Sequence, residues 1–265
     1  MTLPPPALLA FRIAALRHPF LSPYPPIATA GVFAALWLSQ RSARRLGLSP
    51  AALWDAGVFA LVATVVLSRL LGVALLVAIG HGHLTLSLWD ALRLSSVSYL
   101  SLLLTGFAVL LWLRWRGVPI LRSLDAWAAP AALLWAAIHL AEAASTPHPA
   151  LPTSLPWGVR AAGLPGSLRV HPVGLYAAVI GFLLCLALLR LLRSPLPPGT
   201  LAALALLAGG LAVFFLDMLQ LPDSSTGPLD TTQWIALAAI LSAGCLLALT
   251  RPAAPRPPFP RPEPF

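Results

Sequence analysis

The chain has 265 residues, of which 58% are hydrophobic and only 9% are charged, and its mean hydropathy is +0.85. Since a soluble domain carries about 25% charged residues, this composition excludes a soluble globular protein and predicts an integral membrane protein. The net charge is +9 and every basic residue is an arginine. The abundance of Ala, Leu, Pro and Arg is a bias that a GC-rich genome explains, so the charge predicts no nucleic-acid partner.

The N-terminal segment, residues 1–23, combines apolar side chains with Arg12 and Arg17. Its apolar part is too short to span a bilayer, and no small-residue cleavage site follows it cleanly. We therefore predict a short helix that lies in the membrane interface.

Seven apolar segments follow, and each is predicted to be a membrane-spanning helix. The predicted fold is an all-α integral membrane domain over residues 24–250. Residues 251–265 alternate Arg and Pro and predict an extended, disordered cytoplasmic tail within reach of anionic lipid head groups. The seven predicted spans are residues 24–40, 52–79, 95–113, 124–144, 171–189, 200–219 and 233–250.

The arginines are distributed unequally between the two sides of these segments. Positive charge accumulates in cytoplasmic loops, so the clusters predict that the N-terminus is outside and the C-terminus inside. The inner connections hold Arg41, Arg44 and Arg45, then Arg114, Arg116 and Arg122, then Arg190 and Arg193, and finally Arg251, Arg256 and Arg261.

The fifth segment begins with Arg169, His171 and, further in, Tyr176. Pro172 predicts a helix start with His171 at the N-cap, because a proline in the first turn removes a donor that would be unpaired anyway. A cation, an imidazole and a phenol at one helix mouth can hold an anionic head group. The same residues also fit a plain helix cap with an interfacial tyrosine, and the two interpretations remain open.

Other polar side chains lie inside the apolar segments, where they are costly and usually face a bundle interior or a cavity. Most of them fall in the outer half, which predicts a polar cavity there. Two pairs are three residues apart and are predicted to share a helix face: His139 with Glu142, and Asp217 with Gln220. The other members are Arg69 in the second segment and Tyr99 in the third.

These polar residues have a purely structural alternative, as pairs that hold helices together, such as Arg69 with Glu142 or Asp217. No Walker loop, dinucleotide fingerprint, HExxH motif or Gly-x-Ser-Gly protease signature is present. Cys185 and Cys245 are far apart in apolar segments, so neither a disulfide nor a metal site is predicted. No cofactor is predicted, and no transporter-type repeat is visible.

Short motifs follow one another along the chain with a regular spacing. They are Tyr24 and Gly31; Arg44-Arg45-Leu46-Gly47-Leu48; Ser68-Arg69-Leu70; Tyr99; Ala129-Pro130; Pro156-Trp157-Gly158; Arg169-Val170-His171-Pro172-Val173-Gly174-Leu175-Tyr176-Ala177; and Gly199, Gly210-Leu211, Phe214-Phe215, Asp217, Pro222-Asp223 and Gln233-Trp234. Each motif is weak alone, but their joint order is more specific. Through them the chain resembles the bacterial prolipoprotein diacylglyceryl transferase family.

The resemblance implies a seven-span enzyme of the bacterial inner membrane. It would move a diacylglyceryl group from phosphatidylglycerol to the lipobox cysteine thiol of prolipoprotein signal peptides. A thiol with a pKa near 8.5 needs a base or an electropositive site, and the leaving glycerol phosphate needs cations or donors. The catalytic residues would then be Tyr99, His139 and Glu142, and the phospholipid-binding residues Tyr24, Arg69, Arg169, His171, Tyr176 and Asp217.

The chain also departs from the family's pattern. The loss of one donor to the developing charge slows such reactions about 100- to 1000-fold. Two hypotheses follow: a divergent transferase that uses Arg69, Arg169 and His139 as substitutes, or a catalytically degenerate paralogue that binds lipid or lipoprotein without turnover. A small-molecule transporter is a third class, without a repeat to support it. The departures are Leu140, Val213 and Gln220 at arginine positions, Ala143 at an asparagine, Ala177 at a glutamate, and Ser and Leu at the glycines around Tyr99.

Overall fold

The computed structural model describes residues 23–79, 99–145, 150–160, 169–221 and 229–250, with side chains to residue 74 in the first range. The predicted interfacial segment, except residue 23, and the predicted tail lie outside these ranges. Seven α-helices and a two-stranded ribbon occur in the described part. They are α1 (Tyr24–Arg45), α2 (Pro50–Ile79), α3 (Tyr99–Trp115), α4 (Ile120–Ser145), β1 (Val159–Arg160), β2 (Arg169–Val170), α5 (Val173–Leu191), α6 (Thr200–Asp217) and α7 (Thr231–Thr250).

Each predicted span corresponds to one of these helices, so the all-α class is confirmed, with the short antiparallel ribbon as an addition. Five described helices, namely α2, α4, α5, α6 and α7, are long and apolar enough to cross a membrane. The apolar helix α3 is shorter, at 17 residues. The chain is therefore a multi-pass membrane protein. Its orientation, with the N-terminus outside, stays a prediction.

Two predicted helix ends are wrong. Helix α5 begins at Val173 with Pro172 in the cap position, so His171 precedes the cap. The backbone N–H of His171 instead donates to Leu151 O at 3.1 Å, as part of the extended chain before the helix. Helix α6 ends at Asp217. Gln220 therefore does not continue the helix face of Asp217, and forms an isolated β-bridge with Ala150.

Helix α4 lies at the centre of the bundle, where it packs against α1, α5 and α6. Small residues allow the close approaches, because a side chain at these points would collide with the neighbouring helix. A Cβ on Gly31 of α1 would meet Ala137 of α4, and a Cβ on Gly181 of α5 would lie 3.1 Å from Ala132 O. Helix α7 packs on α6 at Gly210 in the same way.

The helices alternate in direction, which gives the bundle two distinct ends. One end carries Arg41, Arg114, Arg116 and Arg122 and is called here the arginine end. There the start of α6 is bound by a side chain of α4. The buried carboxylate of Asp125 accepts hydrogen bonds from the backbone N–H groups of Gly199 and Ala202, at 2.6 and 2.9 Å. Asp55 pairs with Arg116 at 3.7 Å on the surface of the same end. The opposite end carries the β1–β2 ribbon and is called the ribbon end.

Candidate functional site

The closest polar contact among the predicted catalytic residues joins two side chains of α4. His139 Nδ1 lies 2.7 Å from Glu142 Oε2, and both side chains are less than one-third exposed. This contact confirms the predicted shared helix face. An ionised Glu142 can only accept, so Nδ1 donates to it, and in the neutral imidazole the lone pair then lies on the other ring nitrogen, Nε2. The imidazole is thereby oriented as a proton acceptor.

An aromatic side chain that the sequence analysis did not select also fixes this imidazole. Trp135 lies one turn before His139 on α4, and the two rings meet edge to face with centroids 4.9 Å apart. The spacing of four residues could have identified Trp135, because residues at i and i+4 share a helix face. Its indole packs against one side of the imidazole.

The start of α5 brings the predicted His171 and Tyr176 together. Their rings lie 6.2 Å apart, and Tyr176 Oη accepts a 2.8 Å hydrogen bond from Trp157 Nε1. Because the phenol oxygen accepts this bond, its own proton is available to a ligand. His171 Nδ1 is buried and has no hydrogen-bond partner within the described ranges. This helix mouth therefore offers the phenol of Tyr176 as a donor, while the ring nitrogen of His171 lies beneath the surface.

The ribbon positions Arg169 beside this helix mouth. Val159 pairs with Val170 and Arg160 with Arg169 in the antiparallel register. The exposed Arg169 donates from Nη1 to Pro156 O at 3.0 Å, which ties its guanidinium to the loop that carries Trp157. A phosphate at this surface would meet a guanidinium whose position the loop already restricts.

The α4 and α5 groups are adjacent parts of one end of the bundle. A Cβ on Gly174 would lie 3.2 Å from His139 O, so the turn of α4 that carries the imidazole touches the first turn of α5. Trp135 and Tyr176 also pack against the same buried cluster, which includes Val173. We call the side chains that these contacts assemble the ribbon-end cluster: His139, Glu142, Arg169, His171 and Tyr176.

The remaining predicted site residues lie on other helices. Tyr99 begins α3 and its hydroxyl lies 3.1 Å from Thr232 Oγ1 at the start of α7, so its hydroxyl partner is not His139. Tyr24 begins α1 and Asp217 ends α6, while Arg69 is half-buried in α2. Their participation in a site with the ribbon-end cluster stays a prediction.

Two positions where the resemblance implies arginines hold apolar side chains in different surroundings. Leu140, one residue after His139, is 44% exposed. Val213 lines a cavity of 350 Å³ between α4, α5 and α6, with Trp135 and Leu206. Neither side chain offers a charge to a phosphate.

A second cavity, of 440 Å³, lies between α1, α2, α3 and α4. Its wall is apolar apart from a few hydroxyls, among them Thr64 and Thr105, whose oxygens are 3.3 Å apart. Trp127 and Leu124 border both cavities. Both suit hydrocarbon, and the polar cavity expected in the outer half stays a prediction. In the described ranges, no group of three His, Cys, Asp or Glu side chains could hold a metal ion.

Comparison with known proteins identifies the family of the chain. A family model described as prolipoprotein diacylglyceryl transferase matches residues 16–249. The chain is 28% identical over 235 residues to the phosphatidylglycerol--prolipoprotein diacylglyceryl transferase of Gloeobacter violaceus, covering 82% of this chain and 84% of the relative. It is 27% identical over 238 residues to the enzyme of the same name from Thermosynechococcus vestitus, with the same coverages. The chain belongs to the prolipoprotein diacylglyceryl transferase family.

Proposed function

We propose that this chain transfers the diacylglyceryl group of phosphatidylglycerol to the lipobox cysteine of prolipoproteins in the bacterial plasma membrane. Membership of the family carries the choice of reaction, and both relatives bear the name of this enzyme. The structural observation that favours an active enzyme is the 2.7 Å contact of His139 with Glu142, next to the mouth of α5.

The reaction exchanges one bond at the glyceryl carbon for another. The cysteine sulfur forms a C–S bond as the C–O bond to the phosphate breaks, and glycerol phosphate leaves. The thiol proton must go to a base, because the thiolate is the nucleophile. In our proposal Nε2 of His139 takes that proton and Glu142 stabilises the imidazolium through Nδ1. Tyr99 would act nearby as a further polar contact to the peptide.

The leaving phosphate would be held at the mouth of α5. Arg169 supplies a charge and Tyr176 a hydroxyl donor whose oxygen Trp157 already fixes. Donors placed where charge develops are usually the largest single contribution to catalysis. We assign Arg69, with Tyr24, His171 and Asp217, to the same phospholipid site on the strength of the family's motifs. The apolar cavities would receive the acyl chains.

The second candidate function is a lipid- or lipoprotein-binding paralogue without turnover. It is favoured by Leu140 and Val213, which stand where the family has arginines and offer no charge to the phosphate. Its predicted partners are the same phosphatidylglycerol and signal peptides. The two candidates differ only in whether the C–S bond forms.

A transfer assay distinguishes them. Purified protein is incubated with phosphatidylglycerol and a lipobox peptide, and the peptide is analysed by mass spectrometry, while lipid and peptide binding are measured separately. We expect a peptide that gains one diacylglyceryl group, together with release of glycerol phosphate. Binding of both ligands without any product would contradict the enzyme and leave the paralogue.

A further inference from the structure

A second polar surface lies at the arginine end, opposite the ribbon-end cluster. A cleft of 470 Å³ is bounded by the α3–α4 turn (residues 117–119), the first turn of α4 (residues 120–122) and Pro198 before α6. Arg114, at the end of α3, and Arg122, at the start of α4, are the charged side chains in its wall. The rest of the wall is Gly, Pro, Val, Ile and Leu.

These two guanidinium groups differ from their neighbours in their pairing. Arg116 is paired with Asp55 at 3.7 Å and lies over the Trp112 ring at 5.2 Å, while Arg41 lies over Trp37 at 4.4 Å. In the described ranges, the guanidinium groups of Arg114 and Arg122 have neither an ion pair nor a hydrogen bond. Two unneutralised cations therefore share one cleft.

The carboxylate of Asp125 on α4 does not neutralise them. Asp125 lies one turn after Arg122, but it is buried and both its oxygens accept hydrogen bonds from the start of α6. Arg122 also lies at the N-terminal end of α4, where the helix dipole favours an anion and opposes a cation. An anion bound between the two arginines would neutralise their charge and reduce the unfavourable interaction of Arg122 with the helix dipole.

The surroundings indicate what kind of anion the cleft takes. Trp115, next to Arg114, is 82% exposed, and exposed tryptophans at helix ends mark the level of lipid head groups. The wall presents apolar side chains, including Val118 and Leu121, beside the two charges. We propose that this cleft binds the phosphodiester of an anionic glycerophospholipid, with the charge on Arg114 and Arg122 and the glycerol against the apolar wall. This site is independent of the proposed transferase reaction.

The test uses the full chain in nanodiscs of phosphatidylcholine with increasing fractions of phosphatidylserine. Phosphatidylserine carries the phosphodiester but is not the proposed donor lipid. Native mass spectrometry measures the affinity and number of retained phosphatidylserine molecules. For the variant R114Q/R122Q we expect about tenfold weaker binding and one lipid fewer, since charge-assisted contacts to phosphate are lost. The charge-preserving R114K/R122K should keep more of the affinity.

The matched control is R41Q/R116Q, which removes the same charge from two arginines that lie over tryptophan rings at the same end. It should bind phosphatidylserine within about twofold of the wild type. Equal losses in both double variants would mean general attraction of basic loops to the membrane, and would overturn the site. Unchanged binding by R114Q/R122Q would overturn it as well. Full competition by soluble glycerol phosphate would reassign the cleft to a soluble anion.

The four side chains are exposed, so the variants should keep the fold. Equal unfolding temperatures in pure phosphatidylcholine check this. Transfer activity per folded molecule should not change in R114Q/R122Q. If the wild type never shows transfer but R114Q/R122Q loses phosphatidylserine binding, the cleft is supported and only the transferase proposal fails. The two proposals can therefore fail separately.

Discussion

The imidazole of His139 is fixed on two sides, by Glu142 at 2.7 Å and by the edge contact with Trp135. A proton acceptor held in one orientation contributes more to catalysis than a mobile one, because the geometry of transfer is already in place. The assignment of the base to His139 therefore rests on orientation as well as on residue type.

Replacement of the proposed base should remove most of the activity. We expect His139→Ala to lower kcat in the transfer assay by about 100- to 10,000-fold, the usual contribution of a general base. The matched control is Leu140→Ala, on the same turn but with a side chain that cannot accept a proton, which should change kcat less than about twofold. Equal rates for His139→Ala and the wild type would place the base elsewhere.

In the proposed mechanism, Glu142 orients the imidazole of His139. Glu142→Gln keeps an acceptor oxygen for Nδ1 but removes the charge, and charged hydrogen bonds are about twice as strong as neutral ones. We expect kcat to fall about tenfold while KM for phosphatidylglycerol stays constant. A rise in KM with an unchanged kcat would show that Glu142 acts on lipid binding instead.

Helix α6 depends on a side chain from another helix for its N-terminal hydrogen bonds. Gly199, with φ +93°, and Ala202 donate to Asp125 on α4, which is only 5% exposed. The first N–H groups of a helix have no partner within it, and a buried amide without a partner is costly. Asp125 thus both completes α6 and joins it to the central helix.

Loss of this carboxylate should destabilise the bundle. We expect Asp125→Ala to lower the free energy of unfolding by about 1–3 kcal/mol, because two buried amides lose their acceptor. Denaturation in mixed micelles measures it. Asp55→Ala is the control, since its pair with Arg116 is half-exposed and such pairs contribute less than about 1 kcal/mol. Similar losses for both variants would mean that the Asp125 contacts contribute little.

Across the whole molecule, features with a short period in sequence were predictable and contacts between distant segments were not. The apolar segments gave the seven helices, and a spacing of three placed His139 beside Glu142. The cap of α6 by Asp125 was missed because its partners are more than 70 residues away. The bond between Trp157 and Tyr176 depends on the ribbon, whose two-residue strands have no visible pattern. The start of α5 was misplaced because a proline fits either the cap or the first turn.

We propose that this chain transfers lipid through the ribbon-end cluster, although it lacks arginines at positions where the resemblance implies them. Complementation tests it most directly: the chain is expressed in a bacterium depleted of its own transferase, and lipidation of a reporter prolipoprotein is followed by gel shift. We predict rescued growth and a lipidated reporter, with neither restored by His139→Ala. If the wild-type chain is present in the membrane but restores neither growth nor lipidation of the reporter, the transferase proposal is wrong and the paralogue is favoured.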